Sequence, residues 1–219
     1  MRSTSGSTVR ERLLAAADEL FYSEGVQTVG VERVVKRAGV SKKTLYLVFG
    51  SKEALVLAYL QARRDAIEDR VARGLARFGT PRERLLGVFE IQGEFFAAPG
   101  YHGCPFLAAS AETPHDSAVE RAHADYRAWV RALFTGLAAE AGAADPGAVG
   151  GELHLLYDAA GVAAKADRDP SVAMVARAAA TAVLDQAGLR MQKGDTSRRP
   201  AVVLKAHSAT EPAEVARRR

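Results

Sequence analysis

Apolar residues return every three or four positions along most of this chain. Val9, Leu13, Ala17, Leu20 and Phe21 form one such stripe. It predicts an amphipathic helix running from a Ser7 or Thr8 cap to about Glu24, with Gly25 as its stop. Val31, Val34, Val35 and Ala38 predict a short second helix closed by Gly39. Ser41 caps a third helix that ends at Gly50, and Ser51 caps a fourth with Leu55, Ala58 and Ala62 inward. The fourth runs on to about residue 78, where Gly79-Thr80-Pro81 breaks the pattern. Further helices are expected over residues 82–97, 105–111, 113–141, 148–166 and 170–189, the last capped by Asp169. Strand-like alternation and internal repeats do not occur. The expected fold class is all-α, with about nine helices.

Composition supports a folded chain. Of 219 residues, 48% are hydrophobic and 26% charged, which fits one or two globular domains and argues against disorder. Abundant alanine favours helices. The net charge of +4 is unevenly placed. Residues 1–52 and 190–219 are basic, whereas residues 53–189 are acidic. We therefore expect a head (1–52), a body (53–189) and a basic, flexible tail (190–219), with the head meeting a polyanion. From Arg33 to Lys52 the chain carries basic residues and no acid. One cysteine, Cys104, excludes an internal disulfide and a multi-cysteine zinc site. Nothing in the pattern asks for a metal or a cofactor. The N-terminus lacks a signal-peptide core and no apolar run spans a bilayer, so a cytoplasmic protein without membrane contact is expected.

The stretch "GVSKKTLYLVFGSKEAL", from Gly39 to Leu55, carries the most chemistry. Two short helices joined through Gly39 fit a helix-turn-helix, because glycine takes the positive φ of the turn. In that motif the start of the second helix meets base edges in the major groove of double-stranded DNA. Ser41, Lys42, Lys43 and Thr44 stand there. Lys42 and Lys43 suit phosphates or guanine edges, and Thr44 suits a base edge or a thymine methyl. Tyr46 offers a hydroxyl to a phosphate. Lys52 sits at the start of the fourth helix, where free N–H groups already favour an anion. Leu45 and Phe49, four residues apart, hold the helix to the core.

The segment "AADELFYSEGVQTVGVERVVKRAGVSKKTLYLVFGSKEAL", and above all "AGVSKKTLY" and "SKEAL", resembles the tetracycline-repressor (TetR) family of bacterial transcription regulators. The resemblance covers about Val9 to Leu60. It implies a three-helix DNA-binding head on an all-helical, ligand-binding and dimerising body. It also implies Lys42, Thr44 and Tyr46 on the recognition helix and Lys52 on a backbone phosphate. Three positions depart from the family pattern: Gly30 replaces the usual Ser or Thr cap, Lys43 a small residue, and Val48 a His or Tyr. These departures bear on which operator is read.

The body's "GCPFLAASAE", "YRAWVRALFTGLAAEAGAADP" and "LLYDAAGVAAKADRDPSVA" resemble a TetR C-terminal domain, which implies a homodimer joined through the last two helices. Leu153, Leu156 and Ala160 on the eighth helix, and Val172, Val175, Ala176, Ala179 and Val183 on the ninth, are the expected interface. The alternative is that these faces close the chain's own core. A small-molecule effector of unknown identity is expected among Phe89, Phe96, Tyr101, Phe106, Trp129 and Tyr157. His102, His123, His154 and Asp158 are the candidate polar groups; plain core is the competing use of the aromatics. The reading is a homodimeric repressor released from its operator by that effector, and not an enzyme. Its rivals are an activator or effector-independent regulator on the same fold, and a helical enzyme using Cys104.

Overall fold

The computed structural model of the protein describes residues 7–190. Among them the order is α1 (Val9–Glu24), α2 (Val31–Ala38), α3 (Lys42–Phe49), α4 (Lys52–Leu75), α5 (Pro81–Phe96), α6 (Pro105–Ala111), α7 (Ala118–Glu140), α8 (Pro146–Asp167) and α9 (Val172–Gln186), with no strand. No helix among these residues is long and apolar enough to cross a membrane. Most of the expected basic tail lies outside the described residues.

Local chemistry sets these boundaries. Thr8 and Thr80 each close a capping box, with Glu11 and Glu83 at the third helical position. Both boxes satisfy two N–H groups that the helix leaves free. Pro81 and Pro146 occupy the first helical position, where no amide hydrogen is needed.

Several boundaries differ from the sequence expectation: α8 starts at Pro146 rather than 148, α9 ends at Gln186 rather than 189, and three further shifts have a clear local cause. Helix α4 ends at Leu75 rather than residue 78, because Arg77 and Phe78 turn back with N–H bonds to Gly74 and Leu75 carbonyls. Helix α7 begins at Ala118 rather than at Thr113-Pro114. Asp116 takes a positive φ of 61°, which breaks the run, and Ser117 becomes the cap by accepting from the Glu120 N–H. Asp169 caps no helix. Its carboxylate instead accepts from the Ser171 N–H and hydroxyl, both at 2.8 Å, so α9 starts two residues later than expected.

Helices α1 to α3 wrap a small core in which Leu13, Ala17, Val34 and Leu45 are fully buried. Helix α4 belongs both to this core and to the body. Its Tyr59 meets Phe21 edge-on at 5.7 Å, and its Arg63 forks onto Asp18 of α1. Further along, Val71 is buried in the body. There α7 packs on α8, α8 on α9, and α5 on both α7 and α9. Phe89 and Phe134, both fully buried, touch at the centre with ring centroids 5.6 Å apart.

The expected interface residues divide. Leu153, Ala160 and Ala176 are buried inside the chain itself, so they do not form an outer face. Leu156, Val172 and Val183 pack partly against the same core. Val175, 69% exposed, and Ala179 face outward. They are joined by Leu155, Ala159 and Val162 of α8 and by Met174 and Ala178 of α9. Each of the two helices therefore carries two apolar stripes, of which the monomer covers one.

Candidate nucleic-acid interface and its linked cavity

Gly39 adopts the left-handed conformation, φ 66° and ψ 39°, which turns the chain from α2 into α3. Ser41 then caps α3, its Oγ accepting the Thr44 N–H at 3.1 Å, while the two hydroxyls meet at 2.8 Å. Leu45 is fully buried beneath the helix, and Phe49 lies under the Arg10 guanidinium, 5.0 Å from the ring centroid. This anchoring leaves Ser41, Lys42, Lys43, Tyr46 and Leu47 exposed along one surface, with Thr44 half-buried at its edge. Leu47, 77% exposed, is the most exposed large apolar residue of the chain's described part and was not singled out by sequence. An unshielded leucine on a recognition helix suits contact with a thymine methyl.

The acid-free run from Arg33 to Lys52 is less basic in three dimensions than in sequence. Arg33 pairs with Glu24 at 2.6 Å, Arg37 with Glu19 at 2.7 Å and Lys42 with Glu32 at 2.6 Å. The Glu32 partner raises the Lys42 pKa and Lys42 lowers that of Glu32, so both stay charged. Such exposed pairs contribute little stability and yield readily to a phosphate. Lys36, Lys43 and Lys52 have no acidic partner among the described residues. Lys52 stands half-buried at the N-terminus of α4, and its Nζ reaches the Gln27 carbonyl at a long 3.5 Å. If it holds a phosphate, Lys52→Ala weakens binding to all DNA sequences alike and lowers the salt slope by about one per site. Thr44→Ala instead changes base preference; titrations at several salt concentrations on two duplexes separate the two effects.

A cavity of about 630 Å³ opens between α4, α5, α6, α7 and α8. Ile67, Val71, Val88, Ile91, Phe95 and Leu107 supply apolar wall. Of the expected pocket residues, Phe96, Tyr101, Tyr157 and Asp158 line it. So does His123, whose pKa is lowered by burial and then by Arg127. Phe89 lies behind the wall in the core. Phe106 is buried in a parallel stack on Tyr126, 4.2 Å between centroids, and only Tyr126 of that pair reaches the cavity. Trp129 stands behind Tyr126 at 5.9 Å. His102 is exposed and its ring packs edge-on against Tyr22 of α1. His154 is buried off the cavity, its Nε2 3.4 Å from Asp158 Oδ2, too loosely held for a well-formed hydrogen bond.

The cavity's polar groups include several that sequence did not suggest. Gln92 is 6% exposed; its Nε2 donates to the Tyr157 carbonyl at 2.9 Å, but its Oε1 has no partner among the described residues. An orphaned buried acceptor costs about 1–3 kcal/mol, which a donor on an occupant would recover. Arg127 bridges to Asp158 at 2.8 Å. The Tyr126 and Tyr157 hydroxyls meet at 3.4 Å; burial pushes both phenols up, Tyr157 to about 12. Burial also raises the Cys104 thiol, keeping it protonated and a poor nucleophile.

Helix α6 ties this cavity to the head. Its inner face, with Ala108 and Leu107, is cavity wall. Before its start, the Tyr22 hydroxyl of α1 donates to the Gly103 carbonyl at 3.1 Å and accepts the His102 N–H at 3.0 Å. At its end, the Glu112 carboxylate accepts the Gln27 N–H at 2.8 Å. Gly25, at φ 94°, leaves the space that this carboxylate fills; any Cβ there would collide with it. Gln27 is thus held by α6 through its N–H, while its carbonyl lies only 3.5 Å from Lys52 Nζ.

A helix-turn-helix presented by a helical body that encloses a cavity defines a DNA-binding transcription regulator. The family model "Bacterial regulatory proteins, tetR family" matches residues 13–59. The crystal structure of SCO4454, a TetR-family transcriptional regulator from Streptomyces coelicolor, is 32% identical. That match covers 82% of this chain and 95% of that one, with a TM-score of 0.77. The sav143 protein of Streptomyces avermitilis is 35% identical over 84% of this chain and 100% of its own, with a TM-score of 0.74. The transcriptional activator FasR of Mycolicibacterium smegmatis is 38% identical over 86 residues, and the match spans only 39% of either chain. This chain belongs to the TetR family of transcriptional regulators.

Proposed function

We propose that the chain acts as a homodimeric repressor that leaves its operator when a small molecule occupies the cavity. The observation that carries this reading is the grip of Glu112, on the cavity-wall helix, on the Gln27 N–H at 2.8 Å, in the loop whose carbonyl lies 3.5 Å from Lys52 Nζ beside the DNA-facing surface. A ligand that displaces α6 pulls on the loop that positions Lys52 and α3. By linkage, a ligand favouring the displaced form weakens DNA binding by the same factor that DNA weakens the ligand. Helix α4, through the Arg63–Asp18 fork, is a second mechanical connection between body and head.

The outward apolar stripe of α8 and α9 supports a four-helix seam between two copies. A dimer also meets the need of a short reading helix: two half-sites about 34–36 Å apart on one face of the duplex. Ser41, Lys42, Lys43, Thr44, Tyr46 and Lys52 are the proposed DNA contacts, with Leu47 added. The test is a duplex selected by the protein from a random pool, followed by footprinting. Two protected half-sites one helical turn apart, bound by two chains, are expected. One short protected site bound by a single chain would remove the dimeric reading.

A further inference from the structure

We propose that the cavity's ligand is an amphiphile with an apolar body and an anionic end, the anion held at the mouth by Arg70, Arg127 and Lys165. This rests on the effector reading above and specifies its chemistry. The three cations come from three helices, α4, α7 and α8, and all line the cavity. All three residues are exposed, so they mark where the cavity meets solvent, while Val88, Ile91 and Phe96 lie buried deeper in the wall. The lining contains a single carboxylate, Asp158, already engaged by Arg127 at 2.8 Å. Arg70 and Lys165 have no acidic partner among the described residues. Arg70 is held in place by stacking over the Phe95 ring at 4.6 Å. Lys165 passes close to Gly103, in the loop that Tyr22 of α1 grips.

The surrounding residues register these charges. Tyr157 is raised chiefly by burial but is pulled down by Arg70; His123 is lowered by burial and then by Arg127. A cationic guest would face three like charges against one carboxylate. A neutral guest would leave Arg70 and Lys165 unmatched. An anion matches both and can share Arg127 with Asp158 through charge-assisted hydrogen bonds. An anion near Lys165 would also bear on the Gly103 loop, so the ligand's charged end sits where a pull reaches α1. A carboxylate and a phosphate both satisfy this chemistry.

The experiment compares decanoate, monodecyl phosphate, decanol and decyltrimethylammonium, each below its micelle concentration. Binding to the full chain is read by calorimetry and by Trp129 fluorescence. The anions are expected to bind about tenfold or more tighter than decanol, and the cation most weakly. Whichever anion binds tighter identifies the headgroup. The double variant R70Q/K165Q should lose the anion preference while keeping decanol affinity. The control R73Q/R121Q, with the same change in net charge outside the cavity, should keep the preference. Equal affinity for anion, alcohol and cation overturns the proposal, as does loss of preference in the control. Anion-selective binding without any change in DNA affinity would keep this ligand class and defeat the effector reading instead.

Discussion

Arginine in place of Val175 is expected to leave each chain folded and to weaken operator binding by about a hundredfold or more. Val175 is 69% exposed on α9, so a larger polar side chain meets no crowding within the monomer. In the proposed dimer the same position lies within an apolar seam with Leu155, Val162, Met174 and Ala179. Two symmetry-related guanidinium groups there would be desolvated without partners, a cost of several kcal/mol. Losing the dimer removes the second recognition helix, and with it one half-site's base and phosphate contacts. Sedimentation equilibrium should show a monomer with unchanged helical circular dichroism. A V175R protein that remains dimeric places the seam elsewhere.

The largest loss of stability is expected from Phe134→Ala, about 3–5 kcal/mol. Phe134 is fully buried between Phe89, 5.6 Å away, and Tyr157, 6.0 Å away and edge-on. Deleting the ring removes its burial and leaves a void that two rigid neighbours cannot close. Against a typical total of about 5–15 kcal/mol, this approaches the margin of folding. Urea unfolding should show a lower midpoint with an unchanged slope. The variant also removes the backing of Tyr157, a cavity-wall residue, so ligand affinity should fall before DNA affinity does. A loss below about 1 kcal/mol would mean that the body core is not organised around this aromatic pair.

The parts legible in sequence are those fixed by neighbours in the chain. Ser41, Gly39 and Gly50 punctuate α2 and α3 through local hydrogen bonds and φ angles, so periodicity located both helices to the residue. The start of α7 departs from the sequence expectation for an equally local reason: Pro114 is a good first helical residue, but Asp116 takes a left-handed φ that proline does not announce. What depends on distant packing was not legible. The acid-free run looked wholly basic because its counter-charges, Glu19, Glu24 and Glu32, precede it in the chain. Of the aromatic residues expected at the pocket, Phe89, Phe106 and Trp129 serve the core instead. Arg70, Arg127 and Lys165 carry no signal in the sequence pattern, and only the relative placement of α4, α7 and α8 brings them to one cavity. The same limit applies to α8 and α9, where the stripe at Leu153 and Ala160 is visible in sequence but goes into the chain's own core, and the opposite stripe at Leu155 and Val162 is the one left exposed.

The claim that joins these observations is that filling the cavity loosens the head's hold on DNA. It can be tested without knowing the ligand. Ala108, half-buried on α6, lines the cavity, and phenylalanine there projects a ring into space that is otherwise open. The deciding measurement is operator affinity of Ala108→Phe beside the wild type, with melting temperature as the control for folding. The affinity is expected to fall about tenfold or more with the melting temperature undiminished. An affinity that does not fall, in a protein that melts no lower than the wild type, contradicts the coupling between cavity and head.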